Sequence, residues 1–504
     1  MALNTPLSRL LRIIIAFLSI ASAAAYGALG GNHPYLNLRS LGLILLFGGI
    51  LYASSGRLAR MHPPVMIVTL PLILFVQLRL LVLIVIPSSL LHYSHVTSEM
   101  INVTLTYIIA GTFACYWGVA LGYGRVKASL FPSDATVGRS DVRFTILSAA
   151  FFAAFVFTYL DYFIQGYAGA TGSGAHLGFF QRYVTRLIDP HVLFVLVVTA
   201  YLARLHKSRH HGLFIAILIL YAVGFVLRGS RSGFFEIVTI LVGAKIIADN
   251  DFVMRINLTK AALAMAVVAV SIVGYILASD LRGRWYDHDF RANLSSETFL
   301  RGNGAISSGT DLLSEISYRL SFIEPTLFPA YAEELELNDV SHLVNTRTTM
   351  LSSINRLVPG KPFGDILFSE YAFGYIYNPV DGIVAVSADG RVDHVGYEWS
   401  MFGISYQLFG FCGGVVFIFG LSALLARIMR HFRGRGGFSS LAYSVFFSIV
   451  LAAWIRTLGL DNLIDGTMHD LILLCLYVMG FRCFRKFAAA RNLGSRTSGW
   501  QSVS

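Results

Sequence analysis

The sequence predicts an all-α polytopic membrane protein of about twelve transmembrane helices, with both termini cytoplasmic and one large extracytoplasmic segment late in the chain. Three observations lead there. Of 504 residues, 55% are hydrophobic and only 13% charged, and the mean hydropathy is +0.65, whereas soluble domains carry roughly 25% charged residues. Apolar runs of spanning length recur along most of the chain. Basic residues alternate between rich and poor connections, as the positive-inside rule requires.

The apolar runs lie at Leu11–Gly31, Asn37–Ser55, Pro64–Ile86, Ile101–Tyr123, Phe144–Gln165, Ile188–Leu205, Gly212–Leu227, Ser232–Ala248 and Leu258–Ser279. After an interruption they resume at Ser400–Ile428, Leu441–Leu458 and Asp470–Phe484. The first run follows Arg9 and Arg12 and passes directly into the second, so it reads as an uncleaved helix rather than a signal peptide. The organisation is therefore 1–279 as the first block of helices, 280–398 as a large extracytoplasmic segment, 399–484 as the closing helices and 485–504 as a basic cytoplasmic tail.

Orientation follows from the arginines and lysines. The connections holding Arg57 and Arg60, Arg125 to Arg143, Arg204 to Arg209, Lys245 to Lys260, Arg427 to Arg435 and the tail from Arg482 are rich, and they define the cytoplasmic face. The opposite short connections carry few: Arg39, Arg182 and Arg186, Arg228 and Arg231, and Arg456. The net charge of +11 and pI near 9.5 thus belong to loops facing anionic lipid. No basic and aromatic surface suited to nucleic acid is evident. Cys115, Cys412, Cys475 and Cys483 fall inside or at the ends of apolar runs, which predicts neither a structural disulfide nor a cysteine metal site.

Within 280–398, Leu312, Leu313, Ile316, Leu320 and Ile323 recur at helical spacing and stop at Pro325. This predicts an amphipathic helix lying on the bilayer or capping a cavity. A second such stretch runs from Leu343 to Leu357, and Asp389-Gly390 between Ile383–Val386 and Arg391–Val395 predicts a small hairpin.

Residues that could carry chemistry gather on the external side. Arg228-Gly229-Ser230-Arg231-Ser232-Gly233 offers two guanidiniums and flexible backbone beside a helix N-terminus, which suits a phosphate. The plainer reading is a pair of arginines snorkelling to headgroups. Arg79 lies in the outer half of the third span, where a guanidinium costs at least ~2 kcal/mol unless it finds a cavity or a partner. It either faces a polar cavity or makes an internal ion pair, with Asp161 or Glu236 as the expected partner. The stretch Asp280 to Arg291 mixes Asp280, Asp287 and Asp289 with Arg282, Arg284, Arg291, Trp285 and Tyr286, as sugar faces and acid–base work would use and as an ordinary interfacial belt also would. Glu398, with His394, Tyr397 and Trp399, returns titratable groups to the same surface. Asp287-His288-Asp289 lacks a further ligand at helical spacing, so no metal site is assigned.

The many-helix layout, the late periplasmic segment, the Arg228-Gly-Ser-Arg231-Ser-Gly turn and the stretch Glu398-Trp-Ser-Met-Phe402-Gly403 through Gly413-Gly414 together resemble the Wzy-type oligosaccharide repeat-unit polymerases of bacterial surface polysaccharide assembly. Arg291 followed by Gly302 fits an arginine and glycine spacing of some of them. The resemblance implies a bacterial inner-membrane enzyme that moves a growing O-antigen or exopolysaccharide chain from undecaprenyl diphosphate to another lipid-linked repeat unit. It implies no cofactor, and as partners a membrane-lipid environment and the flippase and chain-length regulator of the same pathway. Two tasks follow, neutralising the diphosphate and deprotonating the acceptor hydroxyl. Arg79, Arg228, Arg231, Arg282, Arg284 and Arg291 stand for the first, and Glu398, Asp280 or Asp287 for the second. The first external loop, 31–39, has no acid, which argues for metal-independent chemistry. The O-antigen ligases share this logic, a lipid-linked sugar flippase is the rival from the transporter class, and a non-enzymatic assembly partner is the remaining alternative.

Overall fold

The computed structural model describes residues 5–87, 95–124, 137–165, 189–202, 210–227, 233–248, 255–256, 322–331, 333–335, 344–357, 362–363, 399–433, 437–456 and 459–497. These are almost all helical. In chain order the helices are α1 Leu7–Ala28, α2 Leu38–Ala53, α3 Pro64–Leu72, α4 Leu78–Val85, α5 Ser98–Tyr123, α6 Val137–Gln165, α7 Pro190–Leu202, α8 His211–Leu227 and α9 Gly233–Ala248. They continue with the short α10 Glu324–Ala330, then α11 Thr346–Leu357, α12 Ser400–Arg433, α13 Gly437–Ile455 and α14 Leu460–Thr497. A two-residue antiparallel pairing joins Thr5–Pro6 to Arg255–Ile256.

Among the described residues, seven helices are long and apolar enough to cross a membrane: Ser8–Ala28, Leu38–Gly56, Pro64–Val85, Ser98–Tyr123, Ser400–Arg433, Phe438–Ile455 and Leu463–Gly480. Phe144–Thr158, Pro190–Leu202 and His211–Phe225 are apolar but shorter. The chain is thus a multi-pass membrane protein. The run Leu258–Ser279, the amphipathic stretch before Ser321 and the 383–395 hairpin lie outside the described residues.

Local chemistry sets the breaks. In the third apolar run Pro71 has no N–H to give its helix, and the chain passes through a π-turn at Ile73–Gln77 before resuming as α4. One inserted residue turns everything after it by roughly 100°. Gln77, fully buried, donates from Nε2 to the Ile15 carbonyl (3.0 Å) and to Ser19 Oγ (2.8 Å) of α1. Gly410 (φ +66°) divides α12 into an opening segment, 400–409, whose first six residues are buried, and a longer helix, 411–433, where the sequence predicts one span.

One end of the bundle is fixed by polar caps. Asn37 accepts from the Ser40 N–H (2.9 Å) while Ser40 Oγ accepts from the Asn37 N–H (3.1 Å), and the same two side chains hold Asn102 and Ser98 of α5. His33, in the α1–α2 connection, accepts from the Tyr35 and Leu36 N–H groups at Nδ1 and reaches the Leu83 carbonyl with Nε2 (3.1 Å each). Burial holds its ring pKa below the ordinary value, opposed by the bond to Leu83. At the opposite end, His62 meets the Gly124 carbonyl (3.1 Å) and Arg433 donates to the Tyr123 hydroxyl.

Between these ends α5 and α12 pack backbone to backbone. A Cβ at Gly118 would meet the Phe419 carbonyl oxygen and lie 3.2 Å from the Ala423 nitrogen; one at Gly122 would lie 2.9 Å from the Ala423 carbonyl carbon. Glycines four apart let two helices approach where lipid gives no hydrophobic drive to associate. Gly118→Leu is therefore expected to cost ~1–3 kcal/mol or more, because backbone cannot yield as a side chain can. Thermal unfolding in detergent checks this, with a clearly lowered midpoint for Gly118→Leu and a smaller shift for Gly118→Ala.

Candidate functional site

Arg79 follows the π-turn by two residues, and its rotated register points the guanidinium into the bundle, where it pairs with Glu324. The two side chains are 0% and 1% exposed. This corrects the expected partner, given as Asp161 or Glu236: the acid that meets Arg79 comes from the long segment between α9 and α12. Pro325 occupies the first turn of α10, where the missing N–H costs nothing, while the helix expected before it lies outside the described residues.

The segment around α10 is built into the core. The Phe322 N–H donates to the Phe75 carbonyl (3.2 Å), and the two rings stack at 4.8 Å. Phe322 meets Phe402 edge-on at 6.0 Å, while a Cβ on Gly403 would strike the Pro325 carbonyl. Ile323, Leu327 and Phe328 are fully buried. Further along, Gln407 donates to the Val344 carbonyl (3.3 Å), and Ser352 of α11 donates to the buried Asp461 of α14 (3.1 Å). The predicted stretch Leu343 to Leu357 is thus helical as α11, docked on α14 rather than on lipid alone.

A second polar group lies at the same end. His191 Nδ1 is 2.6 Å from Glu236 Oε1 and 2.7 Å from the Tyr221 hydroxyl, which donates to Glu236 Oε1 at 3.0 Å. Asp189 caps α7 by accepting from the His191 N–H (2.7 Å), and its main chain is hydrogen-bonded to the Tyr477 hydroxyl. From α14, Asp470 places Oδ2 at 3.8 Å from His191 Nε2, with His469 Nδ1 3.2 Å from Asp470 Oδ1. Phe194 stacks on Tyr221 at 4.0 Å and fixes that ring.

Arg456 joins the two groups. Its guanidinium lies 5.6 Å from the Phe75 ring centroid, and within electrostatic reach of Glu236. Tyr331 lies within electrostatic reach of Tyr406; burial raises the Tyr331 hydroxyl pKa, with Tyr406, Glu334 and Glu99 adding to it. The arrangement gathers cations, carboxylates and an imidazole around one end of an apolar bundle. Such a set can hold an anion, move a proton or take a cation.

Of the residues given a catalytic or diphosphate-binding role from the sequence, Arg79 alone lies among the described ones. Glu398, Asp280, Asp287, Arg228, Arg231, Arg282, Arg284 and Arg291 lie outside them. The chain nevertheless enters the connection holding Arg228 and Arg231 from α8 and leaves it into α9, at the end where Tyr221 bonds Glu236. It enters α12 through Trp399 and Ser400, both fully buried. Sequence reading missed His191, Asp470, Asp461 and Glu324. Ionisable residues interrupting apolar runs, as at Asp189-Pro-His191 and Asp461 to Asp470, were the available signal.

Comparison of the chain with protein-family models, with curated proteins and with solved structures gave no match.

Removing one member of a buried ion pair leaves the other charge desolvated and alone, at a cost of ~3–5 kcal/mol, whereas removing both relieves that cost. Arg79→Met and Glu324→Leu are each expected to lower the unfolding midpoint strongly, and the double variant to recover most of the loss. Additive single effects would contradict the pairing.

Proposed function

We propose that this chain is a glycan polymerase of the bacterial inner membrane, transferring a growing oligosaccharide from a polyprenyl diphosphate to a hydroxyl of a second lipid-linked repeat unit. In this reading the chain crosses the membrane twelve times, with both termini in the cytoplasm and 280–398 in the periplasm. The observation that carries it is the concentration of Arg79, Glu324, Arg456, Glu236, His191, Asp461 and Asp470 at one end of an apolar bundle, walled by pieces of the long segment. Ionisable groups inside an apolar bundle are costly, so their accumulation at one end marks a site.

Transfer breaks the bond between the donor's anomeric carbon and the diphosphate oxygen and forms one to the acceptor oxygen, with the acceptor proton taken by a base. Arg228, Arg231, Arg282, Arg284 and Arg291 neutralise the departing diphosphate through bidentate hydrogen bonds. Arg79 supports them by fixing Glu324 and the α10 wall. Glu398, Asp280 or Asp287 accepts the hydroxyl proton. The sequence resemblance to the Wzy-type polymerases supports this division of labour.

A deletion strain tests it. Single repeat units on the final acceptor are expected, with polymer restored by the wild-type chain, not by Arg231→Ala, and only in part by Arg231→Lys, since an ammonium lacks the guanidinium fork. Polymer left on the lipid diphosphate would identify a ligase instead, and intermediates trapped in the cytoplasm a flippase.

A further inference from the structure

We propose that Asp189, His191, His469 and Asp470 form a binding site for one divalent transition-metal ion, of the zinc class, tying the start of α7 to α14. The ligand-bearing atoms of Asp189, His469 and Asp470 all lie within 4.8 Å of one another. Around a tetrahedral ion with bonds near 2.0–2.1 Å, neighbouring donor atoms stand roughly 3.3 Å apart. The observed 3.2 Å between His469 Nδ1 and Asp470 Oδ1 matches that spacing, and His191 Nε2 stands 3.8 Å from the other carboxylate oxygen, Asp470 Oδ2, on the edge of this group.

The surroundings of His191 are the second, separate observation. Its Nδ1 is committed to Glu236 at 2.6 Å and the Tyr221 hydroxyl is anchored on the same carboxylate oxygen, while Nε2 faces Asp470 across a gap too long for a hydrogen bond. A carboxylate that accepts a hydrogen bond from one ring N–H fixes the tautomer and leaves the other nitrogen as a lone-pair donor, and this is the outer arrangement of a metal-bound histidine. Phe194 stacked on Tyr221 holds that outer layer.

Charge and softness agree. Two carboxylates with two neutral imidazoles balance a dication, and mixed nitrogen and oxygen donors select zinc, manganese or cobalt over magnesium or calcium. The sites are half-buried rather than sealed, which leaves a route for the ion. The groups that face His191 are Glu236 of α9, Asp470 of α14, Asp189 of its own cap and, through Glu236, Arg456. A protonated His191 bridging Glu236 and Asp470 is the competing state, and binding of a metal expels that proton. The proposal does not rest on the polymerase reading.

The full-length protein, purified in detergent and stripped with a chelator, is titrated with zinc and separately with cobalt, whose bound visible spectrum reports ligand type. One equivalent of saturable binding is expected, with cobalt bands of nitrogen and oxygen ligation. His469→Ala and Asp189→Asn, on different elements, should each abolish that equivalent, and Glu236→Gln, which touches only the outer layer, should weaken it about 10–100-fold. Absence of saturable binding in the wild type, sulfur ligation in the cobalt spectrum, or undiminished binding in whichever of these variants remains monodisperse overturns the proposal. Polymer formation in cells is read separately, so loss of either result leaves the other standing.

Discussion

A guanidinium placed inside an apolar helix must find an anion there, and much of this molecule's arrangement follows from that demand. Arg79 sits where no headgroup or water can serve it, with its side chain wholly covered. The carboxylate that answers it lies more than two hundred residues later in the chain, on a helix of only seven residues. A short helix cannot hold itself in place, so Glu324 is delivered by what surrounds it: the main-chain bond from Phe322 to Phe75, the stacked rings, and the seat that Gly403 leaves for Pro325. The ion pair and this packing depend on each other, because each charge alone would cost more than the apolar contacts return.

The consequence is that the described part of the long segment, around α10 and α11, belongs to the end wall of the bundle. Its α10 and α11 close on α12 and α14, and in doing so they bring Asp461 into cover and leave the His191, Glu236 and Asp470 group beside Arg456. The opposite end has a different character, with Arg433 of α12 both lying over the Tyr123 ring and bonding to its hydroxyl, and His62 meeting a helix-ending carbonyl. The glycine seam of α5 and α12 connects the two, passing from Phe402 near Gly111 to Ala423 near Gly122. A rigid seam of this kind fixes the opening segment of α12, and with it the floor under α10.

The helices were largely legible because apolar periodicity and length are local properties. Ile101–Tyr123 became Ser98–Tyr123, and Ser232–Ala248 became Gly233–Ala248. Where reading failed, a non-local interaction decided. The final helix starts at Leu460, ten residues before the expected Asp470, because Asp461, Asp465 and His469 break the apolar run in the sequence, although the buried Asp461 accepts a hydrogen bond from Ser352 of α11. The π-turn after Pro71 was hidden within an unbroken hydrophobic stretch, and without its rotation the partner of Arg79 could not be named. Arg79 itself was visible as a costly residue. Its counter-charge was not, since no local pattern links residue 79 to residue 324.

The central claim, that the chain around Glu324 is held inside the bundle against the third apolar run, is tested most directly by cross-linking. In a background with Cys115, Cys412, Cys475 and Cys483 replaced, the paired substitutions Phe75→Cys and Phe322→Cys put thiols on two residues whose main chains are hydrogen-bonded at 3.2 Å and whose rings stack at 4.8 Å. Oxidation in native membranes should join them rapidly within one chain, and the yield should collapse when Arg79→Met is added. A pair that never joins, with the thiol introduced in place of Phe322 freely labelled by a membrane-impermeant maleimide, would contradict the account.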